Sequence, residues 1–126
     1  MKLQESGENY LETILVLSHK KQFVRSIDIV NELNFSKPSV SIAMKHLREN
    51  GYIVMDEDGY ITLTDSGSEI ANKIYDRHQL ISALLGKIGV DPEKAKEEAC
   101  RIEHDISQDT FEKLKNWLLQ NQIIEK

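Results

Sequence analysis

What this chain of 126 residues lacks narrows it first. It has one cysteine, so no disulfide can close within it, which fits a reducing compartment. Its longest apolar runs are a few residues, far short of the roughly 20 that a membrane helix needs. The start, Met1-Lys2-Leu3-Gln4-Glu5, turns acidic at once and lacks the apolar stretch of a secretion signal. Together these predict a cytoplasmic protein without a membrane partner. There is no Gly-rich phosphate loop, no His-Glu-x-x-His motif and no Ser-His-Asp set with a local signature. Neither an enzyme nor a small organic substrate is expected, and no internal repeat or low-complexity segment is present.

An excess of positive charge is also missing. Lys and Arg total 16 against 21 Asp and Glu, for a net charge of −5, whereas a nucleic-acid-binding domain is ordinarily basic. The distribution says more than the sum. Between residues 36 and 48 the chain carries Lys37, Lys45, His46 and Arg48 and no acid, so a basic face on an acidic protein is available.

In chain order, residues 6–19 read as a helix with Tyr10, Thr13, Ile14 and Leu17 on its apolar stripe. Asn9 and Glu12 sit three apart on a neighbouring face. A second, short helix opens at Arg25-Ser26-Ile27-Asp28 with Ser26 as N-cap; Ile27, Val30 and Leu33 point inward and Asn34 marks its end. Ser36 caps a third helix with Pro38 in the first turn. Val40, Met44 and Leu47 form its buried stripe, and Ser39, Ser41, Ile42, Lys45 and Arg48 face out until Asn50-Gly51 ends it. Two short helices joined tightly, the second presenting serines and cations, have the pattern of a helix-turn-helix. An ordinary solvated face would look the same on these residues alone. Strands over 52–55 and 60–64 flank the turn Asp56-Glu57-Asp58-Gly59, and three helices followed by a hairpin give the order of a winged helix. A long helix over 65–85 carries His78, Gly86 and Gly89 break the chain, and Ser107 caps a last helix with Phe111, Leu114, Trp117, Leu118 and Ile123 on its stripe. These later helices are too long and too apolar to serve only as packing for a small winged domain, and they predict a dimerisation unit. The expected fold is mainly α: a winged helix-turn-helix with a two-stranded wing over 1–64, then a helical domain over 65–126.

The run Glu98-Ala99-Cys100-Arg101-Ile102-Glu103-His104 follows a helix start at Asp91-Pro92-Glu93. Positions i, i+3 and i+4 share a helix face, so Cys100, Glu103 and His104 point the same way. A thiol, a carboxylate and an imidazole on one face match the donors of a transition-metal site. On these three residues alone, a small core cysteine beside two solvated polar groups is the commoner arrangement.

The order of elements, together with Arg77-His78-Gln79-Leu80, Ile88-Gly89-Val90-Asp91 and Glu98 through Ser107, closely resembles the diphtheria-toxin-repressor family of metal-activated bacterial transcriptional repressors. That family includes the iron-dependent repressors and the manganese transport regulators. The resemblance covers nearly the whole chain. The Glu103-His104 pair preceded three residues earlier by Cys100 is its most specific part, and Ser36-Lys37-Pro38-Ser39-Val40-Ser41 is moderately specific.

The resemblance implies metal ligation by His78, Cys100, Glu103 and His104, with Cys100 standing where iron-type members have cysteine and manganese-type members glutamate. It adds Glu12, a carboxylate ligand of the manganese type, and Asn9, where manganese-type members have aspartate and iron-type members methionine. The second site of iron-type members is broken here by Ser82 and Lys96. No SH3-like third domain is expected. Fe(II) is the expected metal on the strength of the soft thiolate, with Mn(II), Co(II), Ni(II) and Zn(II) as competitors. Metal would bring a homodimer's two recognition helices to the spacing of successive major grooves, about 34 Å. On double-stranded operator DNA, Ser39, Ser41 and Ile42 would face base edges, while Arg25, Ser36, Lys37, Lys45 and Arg48 would meet phosphates around Pro38. The competing reading is a winged-helix regulator that senses an oxidant or small molecule through Cys100 without metal. A metalloenzyme would need a cleft, an open coordination position and a general base, none of which the sequence offers.

Overall fold

The computed structural model describes residues 5–123. Among them the elements run α1 (Glu5–Lys20), α2 (Ser26–Leu33), α3 (Lys37–Glu49), β1 (Ile53–Met55), β2 (Ile61–Leu63), α4 (Asp65–Lys87), α5 (Pro92–Asp105) and α6 (Gln108–Gln120). They form two compact units, Met1–Lys73 and Ile74–Lys126. The division falls inside α4, later than the strand-to-helix junction at Thr64, because the first turns of α4 pack into the winged unit. No helix among the described residues is long and apolar enough to cross a membrane.

In the first unit α1 packs on α2, α3 and β2. Its stripe residues Tyr10, Leu11, Ile14 and Leu17 are buried, and they share a core with Ile29, Val40, Met44, Leu47, Ile53 and Ile61. The helix α3 follows expectation. The Ser36 hydroxyl accepts from the Ser39 amide, Pro38 lies in the first turn, and Val40, Met44 and Leu47 are buried.

Helix α2 differs from expectation in two ways. Its N-cap is Arg25, whose extended backbone donates its amide to Asp28 Oδ2 at 2.8 Å. Asp28 thus caps from inside the helix, and Ser26 is already helical. Burial pushes the Asp28 carboxyl up, but hydrogen bonds from the Lys21 ammonium and the Arg25 amide outweigh it and hold the group below its ordinary value. The buried residue of α2 is Ile29, while Ile27 is 43% exposed. Ile29 and Leu33 are four apart and form the inner edge of an eight-residue helix; Ile27 lies off that edge. Asn34 closes the helix in the left-handed region, donating its amide to Val30 O.

The hairpin pairs Ile53 with Leu63, Val54 with Thr62 and Met55 with Ile61. Its turn is held by Asp56, whose Oδ1 accepts the amides of Asp58 and Tyr60, both at 2.9 Å. Gly59 sits at φ 80°, where a side chain is strained. Ile61 also donates its amide to Val24 O at 2.7 Å, tying the loop before α2 to the wing.

Gly67 marks where α4 meets this unit. A Cβ there would lie 2.0 Å from the carbonyl oxygen of Tyr52 and 3.0 Å from its carbon. Glycine to alanine within a helix ordinarily stabilises by up to about 1 kcal/mol. Here the obstacle is backbone, already accepting the Thr64 amide at 3.1 Å, and it cannot swing aside. Gly67→Ala is therefore expected to destabilise, by roughly 1–3 kcal/mol, read as a lowered denaturation midpoint. A raised midpoint would contradict the packing described.

The second unit joins the rest of α4 to α5 and α6. Leu80, Phe111 and Leu118 form a buried cluster, with Leu84, Ile106, Leu114 and Ile123 packed against it. Gly86 does not break the chain as expected: α4 continues through it to Lys87, and the turn comes at Gly89, φ 100°. Phe111, Leu114 and Leu118 keep to three- and four-residue spacing and face the cluster. Trp117, expected on the same stripe, turns off it and is 55% exposed.

Candidate metal centre and DNA-reading face

Helix α5 presents its inner edge at four-residue spacing: Ala95, Ala99 and Glu103 are all buried. The first two are small and apolar, and the third is a carboxylate that is 0% exposed. One ligand atom from each of Cys100, Glu103 and His104 lies within 4.8 Å of the others. Donors held at about 2.0–2.3 Å from one ion in tetrahedral geometry stand roughly 3.3–3.8 Å apart, so the three are close enough to converge on one ion with small side-chain adjustments. The sequence spacing predicted this convergence, and Glu103 is not the solvated group of the competing reading.

The environment of Glu103 is what sets this cluster apart from an exposed acidic group. Its Oε2 lies 3.0 Å from His78 Nδ1, on α4. Its Oε1 is buried and makes no hydrogen bond. His104 Nε2 stands 3.6 Å from it, too far for a hydrogen bond. A buried carboxylate oxygen without a partner costs on the order of 1–3 kcal/mol, more when charged. A cation between sulfur, carboxylate and imidazole would remove that cost, and these donor types suit a divalent transition metal. The structure thus brings His78, Cys100, Glu103 and His104 together within the second unit. Asn9 and Glu12 are half-buried on α1 of the first unit, with the Thr13 hydroxyl donating to Asn9 O at 2.8 Å.

Sequence reasoning gave Arg77 no role. Its guanidinium donates to Glu103 O and Ile106 O, both at 2.9 Å, and to Gln108 Oε1 at 2.7 Å. Contacts over 26 to 31 residues leave no local signal; the hint available was the place of Arg77 beside His78 in the stretch Arg77-His78-Gln79-Leu80 that carries the family resemblance.

On the first unit, α3 exposes Ser39, Ser41, Lys45, Arg48 and Ile42, the last 59% exposed. Ser41, Ile42, Lys45 and Arg48, with Ser26 and Met55, line a shallow concavity of about 280 Å³. Neither Ser26 nor Met55 had been expected there, because α2 and the wing reach the concavity only through the fold. Ser36 is occupied as a cap and donates its hydroxyl to Ser39 Oγ at 2.8 Å; Ser39 keeps its own proton to donate. Lys37 and Pro38 are exposed in the first turn. Arg25 stands over the Tyr60 ring at 4.6 Å, and Tyr60 stacks on Phe23 at 4.3 Å, so the cation sits on one aromatic face.

Comparison with known proteins agrees with both halves. Residues 2–62 match the iron dependent repressor N-terminal DNA binding domain, and residues 64–122 match the iron dependent repressor metal binding and dimerisation domain. The chain is 35% identical over 115 residues to an uncharacterized HTH-type transcriptional regulator of Methanocaldococcus jannaschii, covering 90% of this chain and 92% of that one. It is 30% identical over 109 residues to the HTH-type transcriptional regulator MntR of Lysinibacillus sphaericus, covering 86% and 78%. Among solved structures, the manganese regulator SloR superposes with a TM-score of 0.78 at 28% identity; the match covers 94% of this chain and 54% of that one.

Proposed function

We propose, from the premise that this chain belongs to the iron-dependent repressor family, that it represses transcription when loaded with a divalent transition metal and controls the cell's supply of that metal. The observation that carries this reading is Glu103: a fully buried carboxylate with one unpartnered oxygen, set among Cys100, His104 and His78.

In the proposed site Cys100 presents its thiolate, Glu103 its free Oε1, and His78 and His104 a ring nitrogen each. By the family resemblance, Asn9 and Glu12 of α1 would add an amide and a carboxylate oxygen. A bound divalent ion supplies positive charge and a fixed coordination geometry. Metal would favour the DNA-competent state by the difference in its affinity between competent and incompetent states. The soft thiolate favours Fe(II) over Mn(II), which prefers oxygen; a relative named a manganese regulator keeps Mn(II) as the chief competitor. An oxidant-sensing role for Cys100 has less support, since the residues around it match a metal binding and dimerisation domain.

On operator DNA, α3 lies in the major groove with Ser39, Ser41 and Ile42 at base edges, Ile42 suiting a thymine methyl. Lys37, Lys45, Arg48 and the stacked Arg25 take phosphates, with Ser36 holding the helix start between them. The acidic turn Asp56-Glu57-Asp58 is a poor minor-groove probe. The partner is a second copy of the chain, joined through the helical unit, where Trp117 and Ile88 remain exposed.

The test is DNA binding to duplexes selected from random sequence with metal-loaded protein. Affinity should collapse on chelation and return with Fe(II) under anaerobic conditions, and light scattering of the metal-free protein at roughly tens of micromolar should give a dimer. Equal affinity with and without chelator would contradict the proposal.

A further inference from the structure

We propose that Arg77 is the positioning residue of the metal centre, holding the last turn of α5 so that Glu103 stays on His78 and His104 stays beside Glu103; the inference rests on the metal reading above. The last carbonyls of a helix have no partner within it. In α5, Glu103 O would need the amide of residue 107, but the helix has ended at Asp105. Arg77 fills this gap. Its Nη1 donates to both Glu103 O and Ile106 O at 2.9 Å, and its Nη2 to Gln108 Oε1 at 2.7 Å. Its guanidinium carbon lies 5.6 Å from the centre of the Phe111 ring. One side chain of α4 therefore fastens the end of α5 and the start of α6.

Two features make this more than a helix cap. Arg77 adjoins His78 in sequence, so one stretch of α4 supplies both the ligand and the group that fixes its neighbours. Glu103 is held at both ends of the residue: Arg77 takes its backbone carbonyl, and His78 takes its carboxylate at 3.0 Å. The Arg77 Nε is buried without a partner, a desolvation cost accepted where the other nitrogens are in place. Cys100 lies one turn earlier, inside the helix ladder, and does not depend on the clasp. Loss of Arg77 should loosen Glu103 and His104 while leaving the thiol where it is.

The experiment is a Co(II) titration of wild type, Arg77→Met and Arg77→Lys, read by absorbance, beside thermal denaturation of the metal-free proteins. Arg77→Met keeps length and apolar stem and removes the donors; Arg77→Lys keeps the charge but not the fork. Arg77→Met should bind Co(II) about 10- to 100-fold more weakly, the usual loss when a group supporting a ligand is removed. At saturation it should retain the thiolate-to-cobalt charge-transfer band and change the ligand-field bands. Arg77→Lys should fall between it and wild type. Co(II) affinity unchanged in both variants, with or without a lower denaturation midpoint, would make Arg77 a structural clasp only and overturn the proposal. Should Arg77→Met fail to fold by circular dichroism, Arg77→Lys decides alone, and unchanged affinity there overturns it. His78→Ala and Glu103→Gln separate the two readings. If they too leave Co(II) uptake unchanged, the metal reading fails; if they lose metal and the Arg77 variants do not, only the role of Arg77 fails.

Discussion

Glu103→Gln is expected to act in opposite directions on the metal-free and metal-loaded protein. Without metal, a fully buried carboxylate with an unpartnered oxygen gives way to a neutral amide of the same shape that still hydrogen-bonds the His78 imidazole. Removing a buried charge that has one unpartnered oxygen relieves a burial cost of roughly 1–3 kcal/mol, so the metal-free midpoint should hold or rise. With metal, the variant lacks the one carboxylate of the cluster in the second unit. Loss of a supporting group already weakens metal binding 10- to 100-fold, so loss of a ligand should exceed about 100-fold. Wild type at about 100 times its dissociation constant gains about 2.7 kcal/mol from bound metal; the variant at the same concentration should gain almost none. Calorimetric scans with and without metal give both numbers. A variant less stable without metal and equally stabilised by it would mean that Glu103 is a structural partner of His78 and not a ligand.

The second large effect concerns which metal is selected. Cys100 is the one soft donor among nitrogen and oxygen donors. Cys100→Glu exchanges it for a hard one and keeps one negative charge, which should strengthen the Mn(II) response relative to Fe(II) and Co(II). Asn9→Asp should add to the shift by replacing a neutral amide oxygen with a carboxylate. The two positions would share one ion, so the double variant should depart from the sum of the singles. The measurement is DNA affinity against free metal concentration for all four proteins. An unchanged ranking of metals in Cys100→Glu would show that Cys100 does not touch the ion.

What the sequence made legible was local. Ser36, Pro38 and the Val40, Met44, Leu47 stripe lie within one helix, where cap chemistry and a 3.6-residue period determine the outcome. The convergence of Cys100, Glu103 and His104 follows from the same period. What it hid depended on contacts between elements. Arg77 reaches 26 to 31 residues ahead, and no pattern in the chain announces that. Ile29 replaces Ile27 at the inner edge of α2 because the helix is short and Asp28 caps it from within. The helix α4 runs through Gly86 because one glycine costs a helix only about 1 kcal/mol, less than the packing of Leu80 and Leu84 supplies. Phe23, Tyr60 and Arg25 stack because the wing and the loop before α2 are joined by the Ile61–Val24 hydrogen bond.

The central claim is that metal and DNA act on one equilibrium of this chain. Linkage requires that the factor by which metal tightens DNA binding equal the factor by which DNA tightens metal binding. The direct measurement is the Co(II) dissociation constant of the protein free and saturated with its selected duplex. The account predicts tighter Co(II) binding on DNA, by the same factor that Co(II) confers on DNA affinity. Identical Co(II) affinity in the two states would contradict it.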